Sequence, residues 1–461
     1  MDRNIGKGMR PREAGGFSVI CAEKIIELLR AIGLPEEWSQ LGLGHVSRRA
    51  RAYTTPERIT AVLAGLACGL RGFAPGNSLL RGNSALQSAT GGRFPDQGTI
   101  HRWFQQTTAE QARGLRQHLH QVMKREGLFW QALFSGNRVV VDLDAQGLAA
   151  RGARFGKAAY GHLGEGLDRG YQRFVAYAGQ TREVLDEFLR PGNTMLTGEL
   201  TELLSGLNEI FAPEHRPRVV IRTDAHGGTF KNLKQLQAAK YGYLCRLLSR
   251  SGVKRMRDTV AVVPGGQFVP RGSRVIEYWD VLQWTISGRR PKQGVVQTRA
   301  ILFCDRNEGK KDYWTMLVTD LTQETPQELW TQYHQRSGTI EEYNDQSERA
   351  YHLEVLRTGS YDGLNALHAL LALCWNLSVW ATEDLELPPT EAPHAERSRW
   401  VKASSLDRSQ LLVRAALSGL RLYRTSPTAR LEAEDTAFTP ESKAWLQWLT
   451  QPIQYRLRLA G

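Results

Sequence analysis

The stretch NRVVVDLDA at residues 137–145 decides the fold that we expect for this chain. It is a short, apolar and β-branched run between polar residues, which is typical of a strand buried inside a sheet. QRFVAYAGQ (172–180) and PRVVIRTDA (217–225) have the same character. Between them, LTGELTELLSGLNEIFA (196–212) has apolar residues at three- and four-residue spacing, which predicts a helix. Strands and helices therefore alternate, as in an α/β layer.

Helical patterns come before this layer and return after it. CAEKIIELLRAIGL (21–34) and TTPERITAVLAGLACGLRG (54–72) predict helices near the start of the chain. From about residue 243 to 321 the pattern is mostly strand, and DTVAVVPG (258–265) is one of the candidates. Helix resumes at about Thr325. A β-rich segment between two α/β segments indicates an insertion into one core.

At 461 residues the chain exceeds what one hydrophobic core usually serves, so we expect two or three domains, built from consecutive segments. Five are predicted: a helical N-terminal region with a DNA-binding role (1–130), the first part of an α/β core (131–242), a β-rich insertion (243–324), the second part of the core (325–382) and a C-terminal region with a helical, basic end (383–461).

Charge and composition indicate a partner class and a compartment. Lys and Arg outnumber Asp and Glu by 60 to 47, a net charge of +13, which predicts attraction to a polyanion such as DNA. The alternative is a merely basic soluble protein. The five cysteines form no CxxC pair, which favours reduced core residues in the cytoplasm. No apolar stretch is expected to span a bilayer, so no membrane partner is predicted.

Acidic residues occupy the positions where α/β proteins place catalytic groups. Asp144 and Asp224 stand at the ends of the two best strands, although Asp beside Gly is also ordinary turn chemistry. Glu341 and Glu342 follow in YHQRSGTIEEYNDQSER (333–349), where a helix is predicted to begin near Thr339. Adjacent carboxylates on a helix point in different directions, so only one glutamate is expected to face the strands.

Three converging carboxylates would suit a pair of divalent ions. Hard oxygen ligands favour Mg²⁺, with Mn²⁺ also acceptable, and two such ions support in-line displacement at phosphorus. The other interpretation of the acidic helix is a solvated face. Tyr333, Arg336 and Arg349 frame these acids with groups suited to phosphates, which favours a site. A paired-carboxylate glycosidase would need neither these groups nor the basic charge.

These motifs, in this order, resemble the DDE transposases of bacterial insertion sequences. The resemblance is to the subgroup whose ribonuclease H-like core carries a β-strand insertion between the second Asp and the Glu. The motifs that carry it are FPDQGTIHRWF (94–104), DLD (142–144), LRPGNT (189–194), RTDAHGG (222–228), YHQRSGTIEE (333–342) and LCWNLSVW (373–380).

The resemblance implies roles for the acidic residues. It makes Asp144 and Asp224 the two aspartates and Glu341 the glutamate, all three of them metal ligands. The family usually has Thr or Ser beside the first aspartate where this chain has Ala145 and Gln146, so Asp142 is a rival to Asp144. Glu342 keeps the better spacing to Arg349, and either glutamate is compatible with the family's pattern. The catalytic candidates are therefore Asp144, Asp224, Glu341 and Glu342.

The resemblance also implies partners and an activity. Tyr333, Arg336 and Arg349 would handle the DNA end. The tryptophans of the insertion, Trp279, Trp284 and Trp314, would grip DNA or shape a hairpin end, but no single one of them is assigned this role. The implied partners are double-stranded DNA, as terminal inverted repeats and target, and a second copy of the chain. The implied activity is cut-and-paste transposition by a cytoplasmic, nucleoid-associated enzyme. The alternatives are an inactive DNA-binding descendant and a Mg²⁺-dependent nuclease without strand transfer.

Overall fold

A computed structural model places one ten-stranded mixed sheet at the centre of the protein. The structure describes residues 16–41, 52–70, 72–81, 87, 90, 92–164, 166–260, 267–271, 274–288, 293–306, 312–352, 358–381, 422–423 and 432–433. The described elements before residue 135 are helices: α1 (Gly16–Ala31), α2 (Leu34–Trp38), α3 (Thr55–Ala67), α4 (Ala74–Leu79), α5 (Gln97–Gln106), α6 (Ala109–Glu126) and α7 (Phe129–Phe134).

The sheet follows these helices, and further helices cover it. Its strands are β1 (Val139–Ala149), β2 (Ala159–His162), β3 (Leu167–Ala178), β4 (Glu183–Pro191), β5 (Val219–Gly228), β6 (Gly242–Leu247), β7 (Gln267–Arg271), β8 (Arg274–Ser287), β9 (Val295–Asp305) and β10 (Tyr313–Thr319). The helices are α8 (Leu196–Ile210), α9 (Phe230–Ala239), α10 (Arg250–Val260), α11 (Pro326–His334), α12 (Ile340–Tyr351) and α13 (Tyr361–Ala381).

Strand order identifies the α/β core. β3 pairs antiparallel with both β1 and β4, while β5 and β6 run parallel to β1, which gives the order β4–β3–β1–β5–β6. Parallel strands need crossover connections, and α8 and α9 lie in the connections that lead into β5 and β6. This is the ribonuclease H-like arrangement, so the predicted fold class is confirmed.

The β-rich segment continues the same sheet. β10 pairs antiparallel with β6, and β9, β8 and β7 follow as antiparallel neighbours. The predicted boundary at residue 243 falls inside β6, which pairs with β5 on one side and with β10 on the other. The division of the chain into domains stays a prediction.

One predicted strand is wrong. The run DTVAVVPG was expected to be a strand from Asp258, but α10 continues to Val260. Met256 and Val260 are four residues apart and buried, which is helical spacing, and exposed charged residues lie between them. Of the four β-branched residues that favoured a strand, Thr259 and Val260 lie in this helix, and Val262 and Val263 lie outside the described residues.

In the C-terminal region the structure describes a single antiparallel pair of two-residue strands, β11 (Leu422–Tyr423) with β12 (Glu432–Ala433). The predicted helical, basic end lies outside the described residues.

α13 is the central helix of the core. By length and composition alone it could cross a membrane, so the expectation that no stretch was long enough is wrong. However, 89% of its apolar stretch is buried inside the protein, as in the core helix of a soluble fold. It packs against β4, α6 and α3.

Two asparagines of α13 form hydrogen bonds with backbone groups of the edge strand β4. Asn376 pairs with the backbone of Val184, accepting from its N–H and donating to its C=O, both at 2.8 Å. Asn365 accepts from the N–H of Leu189 at 2.8 Å. Eleven helical residues rise about 16 Å, close to the length of five strand residues. The two asparagines are therefore spaced like their two partners on β4. The helix covers a strand edge whose backbone N–H and C=O groups would otherwise be unpaired.

Replacing Asn376 with Leu should lower the free energy of unfolding by about 2–5 kcal/mol, because it leaves two backbone groups of a buried strand without partners. Asn365→Leu is the matched control on the same helix and should cost less, because Asn365 makes one such bond and is only partly buried. Urea denaturation measures both. Equal stability of Asn376→Leu and wild type would show that water replaces the lost bonds.

Candidate active site

The two predicted aspartates lie on adjacent parallel strands. Asp144 in β1 and Asp224 in β5 each follow the last registered pair, Leu143 with Thr223. Parallel strands present their carboxyl ends at one edge of a sheet, so both side chains reach the same cleft. The Asp144 side chain is 20% exposed and that of Asp224 is 36% exposed. Burial raises the pKa of Asp144, Arg336 opposes the rise and the charge of Asp224 adds to it.

The pairing of β5 with β6 is irregular beside Asp224. It is interrupted after Thr223 and resumes at Gly228. Here the backbone N–H of His226 donates to Oδ1 of Asp224 at 2.9 Å. The carboxylate is therefore held in place by the chain that immediately follows it.

Asp142 has a different environment from Asp144. Both are on one face of β1, because side chains two residues apart on a strand share a face. Asp142 is fully buried and accepts two hydrogen bonds from Arg222, at 2.5 and 2.7 Å, and one from the hydroxyl of Thr339 at 2.6 Å. Arg222 is directly opposite Asp142 in the β1–β5 register. All of these bonds link strands and helix within the protein.

Arg336 joins two of the predicted carboxylates. It lies in a 3₁₀ turn (Gln335–Gly338) and donates to Asp144 at 2.6 Å and to Glu341 at 3.2 Å. The residue is buried, and among the described residues its Nε has no hydrogen-bond partner. The structure places Arg336 beside the acids that it frames in the sequence, and its role at the DNA end stays a prediction.

α12 carries the third predicted carboxylate. The Glu341 side chain is 55% exposed. Asn344 is one helical turn further on and therefore on the same face, and its amide donates to Oδ2 of Asp144 at 2.9 Å. The side chains of Glu342 and Arg349 lie outside the described residues. Of the two glutamates, Glu341 is thus the one that the structure describes beside Arg336.

A buried ion-pair network contacts the inner face of α12. Arg173 makes two 2.9 Å hydrogen bonds to Glu187, and both side chains are fully buried. Glu187 also accepts from the hydroxyl of Tyr343 at 2.6 Å and pairs with Nδ1 of His368 at 2.5 Å. Although burial alone would raise the pKa of Glu187, Arg173 and His368 lower it to about 2.

The network reaches the candidate site through Asn344. Arg173 donates to the amide oxygen of Asn344 at 3.4 Å and to the hydroxyl of Ser347 at 3.0 Å. Sequence reasoning missed Asn344, Arg173 and Glu187. The spacing of three residues from Glu341 to Asn344 is a signal that could have found the first of them. Nothing in the sequence pairs Arg173 with Glu187.

Tyr333 lies near the same carboxylates. Burial raises its pKa to about 12, against the opposing charges of Arg336 and Arg246. The negative charge of Asp224 raises it further. Tyr333 therefore lies among charged groups of both signs at this edge of the sheet.

The tryptophans of the β-rich segment are partly buried against the core. The rings of Trp279 and Trp314 stack with centroids 5.6 Å apart, and the guanidinium of Arg255 lies 4.9 Å from the ring centre of Trp284. Each ring thus already has a partner within the protein. A role in gripping DNA stays a prediction.

The donor chemistry fits hard divalent cations, although the acids are not grouped as ligands. Within the described residues, no three His, Cys, Asp or Glu side chains form a metal-binding cluster. Asp224 is close enough for its charge to raise the pKa of Asp144, an effect that a cation between them would relieve. At present the guanidinium of Arg336 provides that compensation for Asp144 and Glu341.

Comparison with known proteins gives a family match over most of the chain. The family model described as transposase DDE domain group 1 matches residues 27–371. No curated protein matches. Seven chains of solved structures match, among them a cryo-EM structure of the piggyBac transposase synaptic complex with hairpin DNA. That match covers 89% of this chain and 87% of the other at 11% identity and a TM-score of 0.43, too low to support a conclusion about this chain.

Proposed function

This chain belongs to the transposase DDE domain group 1 family, and from that membership we propose that it is an active cut-and-paste transposase. It would hydrolyse the phosphodiester bond at each end of a mobile element, which leaves a 3′-hydroxyl. That hydroxyl would then attack a phosphorus atom of the opposite strand or of target DNA, displacing another 3′-oxygen. Asp144, Asp224 and Glu341 are the proposed carboxylates.

The observation that carries this proposal is the pair of aspartates at the ends of adjacent parallel strands, each one residue beyond the last registered pair. Asp142 fits the catalytic role less well than Asp144 does. Its carboxylate is fully buried and already accepts three hydrogen bonds, whereas Asp144 is partly exposed to the cleft.

Asp144, Asp224 and Glu341 would hold Mg²⁺, or Mn²⁺ in its place. A divalent ion bound there would supply Lewis acidity to the attacking and leaving oxygens. The protein's own contribution is to fix the ligands. The Asn344 amide orients Asp144, and the backbone N–H of His226 orients Asp224.

Arg336, Tyr333 and Arg349 are proposed to bind the DNA end. Arg336 is the best supported of the three, because its guanidinium lies beside two of the proposed carboxylates, Asp144 and Glu341. A guanidinium already beside the carboxylates would bring the phosphate to the groups that act on it.

The proposed partners follow from the same function. A net charge of +13 favours DNA, and the substrates would be the terminal inverted repeats and the target duplex. Two ends must be brought together, so we propose a homodimer on DNA. The proposed location is the bacterial cytoplasm, at the nucleoid.

One observation favours the alternative of an inactive, DNA-binding descendant. Arg336 bridges Asp144 and Glu341, and the described carboxylates are not grouped as metal ligands. A chain that had lost catalysis could retain such a bridge without cost.

The test is an in-cell excision assay with the element's own ends, followed by a joining assay with purified protein, a pre-cut end, plasmid target and Mg²⁺. Excision and joining would support the transposase. Cutting without joining would replace it with the nuclease, and binding without cutting would replace it with the inactive protein. Asp224→Asn is the control, because it keeps the shape of the side chain and removes one charge.

A further inference from the structure

Arg246 in β6 lies level with the two aspartates. Cys245 pairs with Thr223 of β5, and Thr223 pairs with Leu143 of β1. The residues that come directly after Cys245, Thr223 and Leu143 in the chain are Arg246, Asp224 and Asp144. Each of the three residues comes directly after a registered pair at which the regular parallel pairing stops, so they form a short row at the carboxyl edge of the parallel strands.

The row is on one face of the sheet. Cys245 and Leu143 are buried in the main core cluster on the opposite face, and side chains alternate along a strand. Leu244, two residues before Arg246, packs in the second cluster with Trp330 of α11. Tyr333, at the other end of α11, lies close enough to Arg246 and Asp224 for both charges to affect it.

Arg246 differs from other arginines in and around the site. Arg222 is paired with Asp142, Arg336 with Asp144, and Arg173 with Glu187. Among the described residues Arg246 forms no ion pair. It donates to the hydroxyl of Tyr313 at 2.6 Å and its guanidinium lies 5.7 Å from the centre of that ring.

Its surroundings leave Arg246 available to an anion. The side chain is partly exposed, and Tyr313 is 51% exposed. A guanidinium fixed on one side by a tyrosine hydroxyl keeps its other donors for a bidentate acceptor. A structural role would be limited to covering the Tyr313 ring.

We propose that Arg246 binds a backbone phosphate of the DNA strand on which Asp144 and Asp224 act. The proposal rests on the proposed function for the identity of the ligand. It adds a phosphate-binding position on β6, two strands from Asp144, which would set the path of the DNA strand across the carboxyl edge of the sheet.

The test is a chemical double-mutant cycle with a terminal-repeat duplex in which single phosphates around the cleavage position are replaced by neutral methylphosphonates. Fluorescence anisotropy without divalent ions measures affinity. Arg246→Gln should weaken binding of the unmodified duplex about 10- to 100-fold, as expected for loss of a charged hydrogen bond. At one phosphate position the neutral linkage should weaken wild type by a similar factor and leave Arg246→Gln almost unchanged.

Arg255→Gln is the matched control. Arg255 also lies over an aromatic ring, that of Trp284, and donates one hydrogen bond, to the carbonyl of Thr285 at 2.7 Å. It is on α10, which packs in the main core cluster on the opposite face from the row. Arg255→Gln should bind like wild type. An equal loss in both variants would overturn the proposal, because it would reflect general charge.

Two further outcomes complete the test. If Arg246→Gln does not fold, Arg246→Lys replaces it and should still respond to the neutral linkage at that same position. The absence of any position at which linkage and variant interact would also overturn the proposal. It would be overturned likewise if inorganic phosphate, at matched ionic strength, displaced the duplex equally well from wild type and from Arg246→Gln. Wild type that shows the interaction but cuts no DNA would remove the proposed function and keep Arg246 as a phosphate-binding residue.

Discussion

Asp144→Asn should reduce cleavage and joining of an element end by at least about 10³-fold, with folding and DNA binding retained. The reason is that a metal-bound carboxylate contributes several kcal/mol to stabilising the charge that develops at phosphorus. The Asn side chain keeps the shape and the possible bond to Arg336. The joining assay with Mg²⁺ measures the loss, and anisotropy with the same duplex measures binding.

Asp142→Asn is the matched variant on the same face of β1, and its expected effect is on stability. It leaves Arg222 buried without the carboxylate charge that it pairs with, which should lower the free energy of unfolding by about 3–5 kcal/mol. If Asp144→Asn cut DNA at the wild-type rate while a well-folded Asp142→Asn did not, the site would be centred on Asp142 and our assignment would be wrong.

Glu187→Gln should lower the free energy of unfolding by about 3–5 kcal/mol at pH 7, because Arg173 and His368 would remain buried beside a neutral side chain. Urea denaturation measures this loss. Asp168→Asn is the control for removing an acid from an arginine pair, since Asp168 pairs with Arg151 at the surface. That variant should show no measurable change.

The same carboxylate predicts a pH dependence. The folded pKa of Glu187 is about 2, below the ordinary value of 4.5. A depressed pKa contributes stability that is present above pH 4.5 and is lost as the pH falls towards 2. Wild type should therefore lose roughly 3 kcal/mol over that range from this residue, and Glu187→Gln should lack this component. Parallel pH curves for the two proteins would contradict the proposed role of the ion pair.

Local sequence patterns were sufficient for the α/β core. Buried strands are continuous apolar runs, and the helix between β4 and β5 has its apolar residues at helical spacing, so both are encoded within a few residues. The run from Asp258 was wrongly predicted to be a strand, because its β-branched residues outweighed the helical spacing of Met256 and Val260. Apolar runs this short do not distinguish helix from strand.

The candidate site could be predicted only as a set of residue types. Asp144 and Asp224 were identifiable because each ends a recognisable strand. The spacing from Glu341 could have singled out Asn344, but not its bond to Asp144, which is 200 residues away in the chain. The bond of Tyr343 to Glu187, 156 residues away, could not be found either. The role of Arg336 depended on the same long-range contacts.

The sequence by itself determined the fold class, the order of the motifs and the charge that favours DNA, because strand, helix and net charge follow from local composition. Only the tertiary structure distinguishes the environments of the two aspartates on one face of β1. Arg222, 80 residues away in the chain, reaches Asp142 through the parallel pairing of β1 with β5, whereas the side chain of Asp144 faces the cleft. The row of Arg246 with the aspartates likewise exists only in the strand register, which no local pattern specifies.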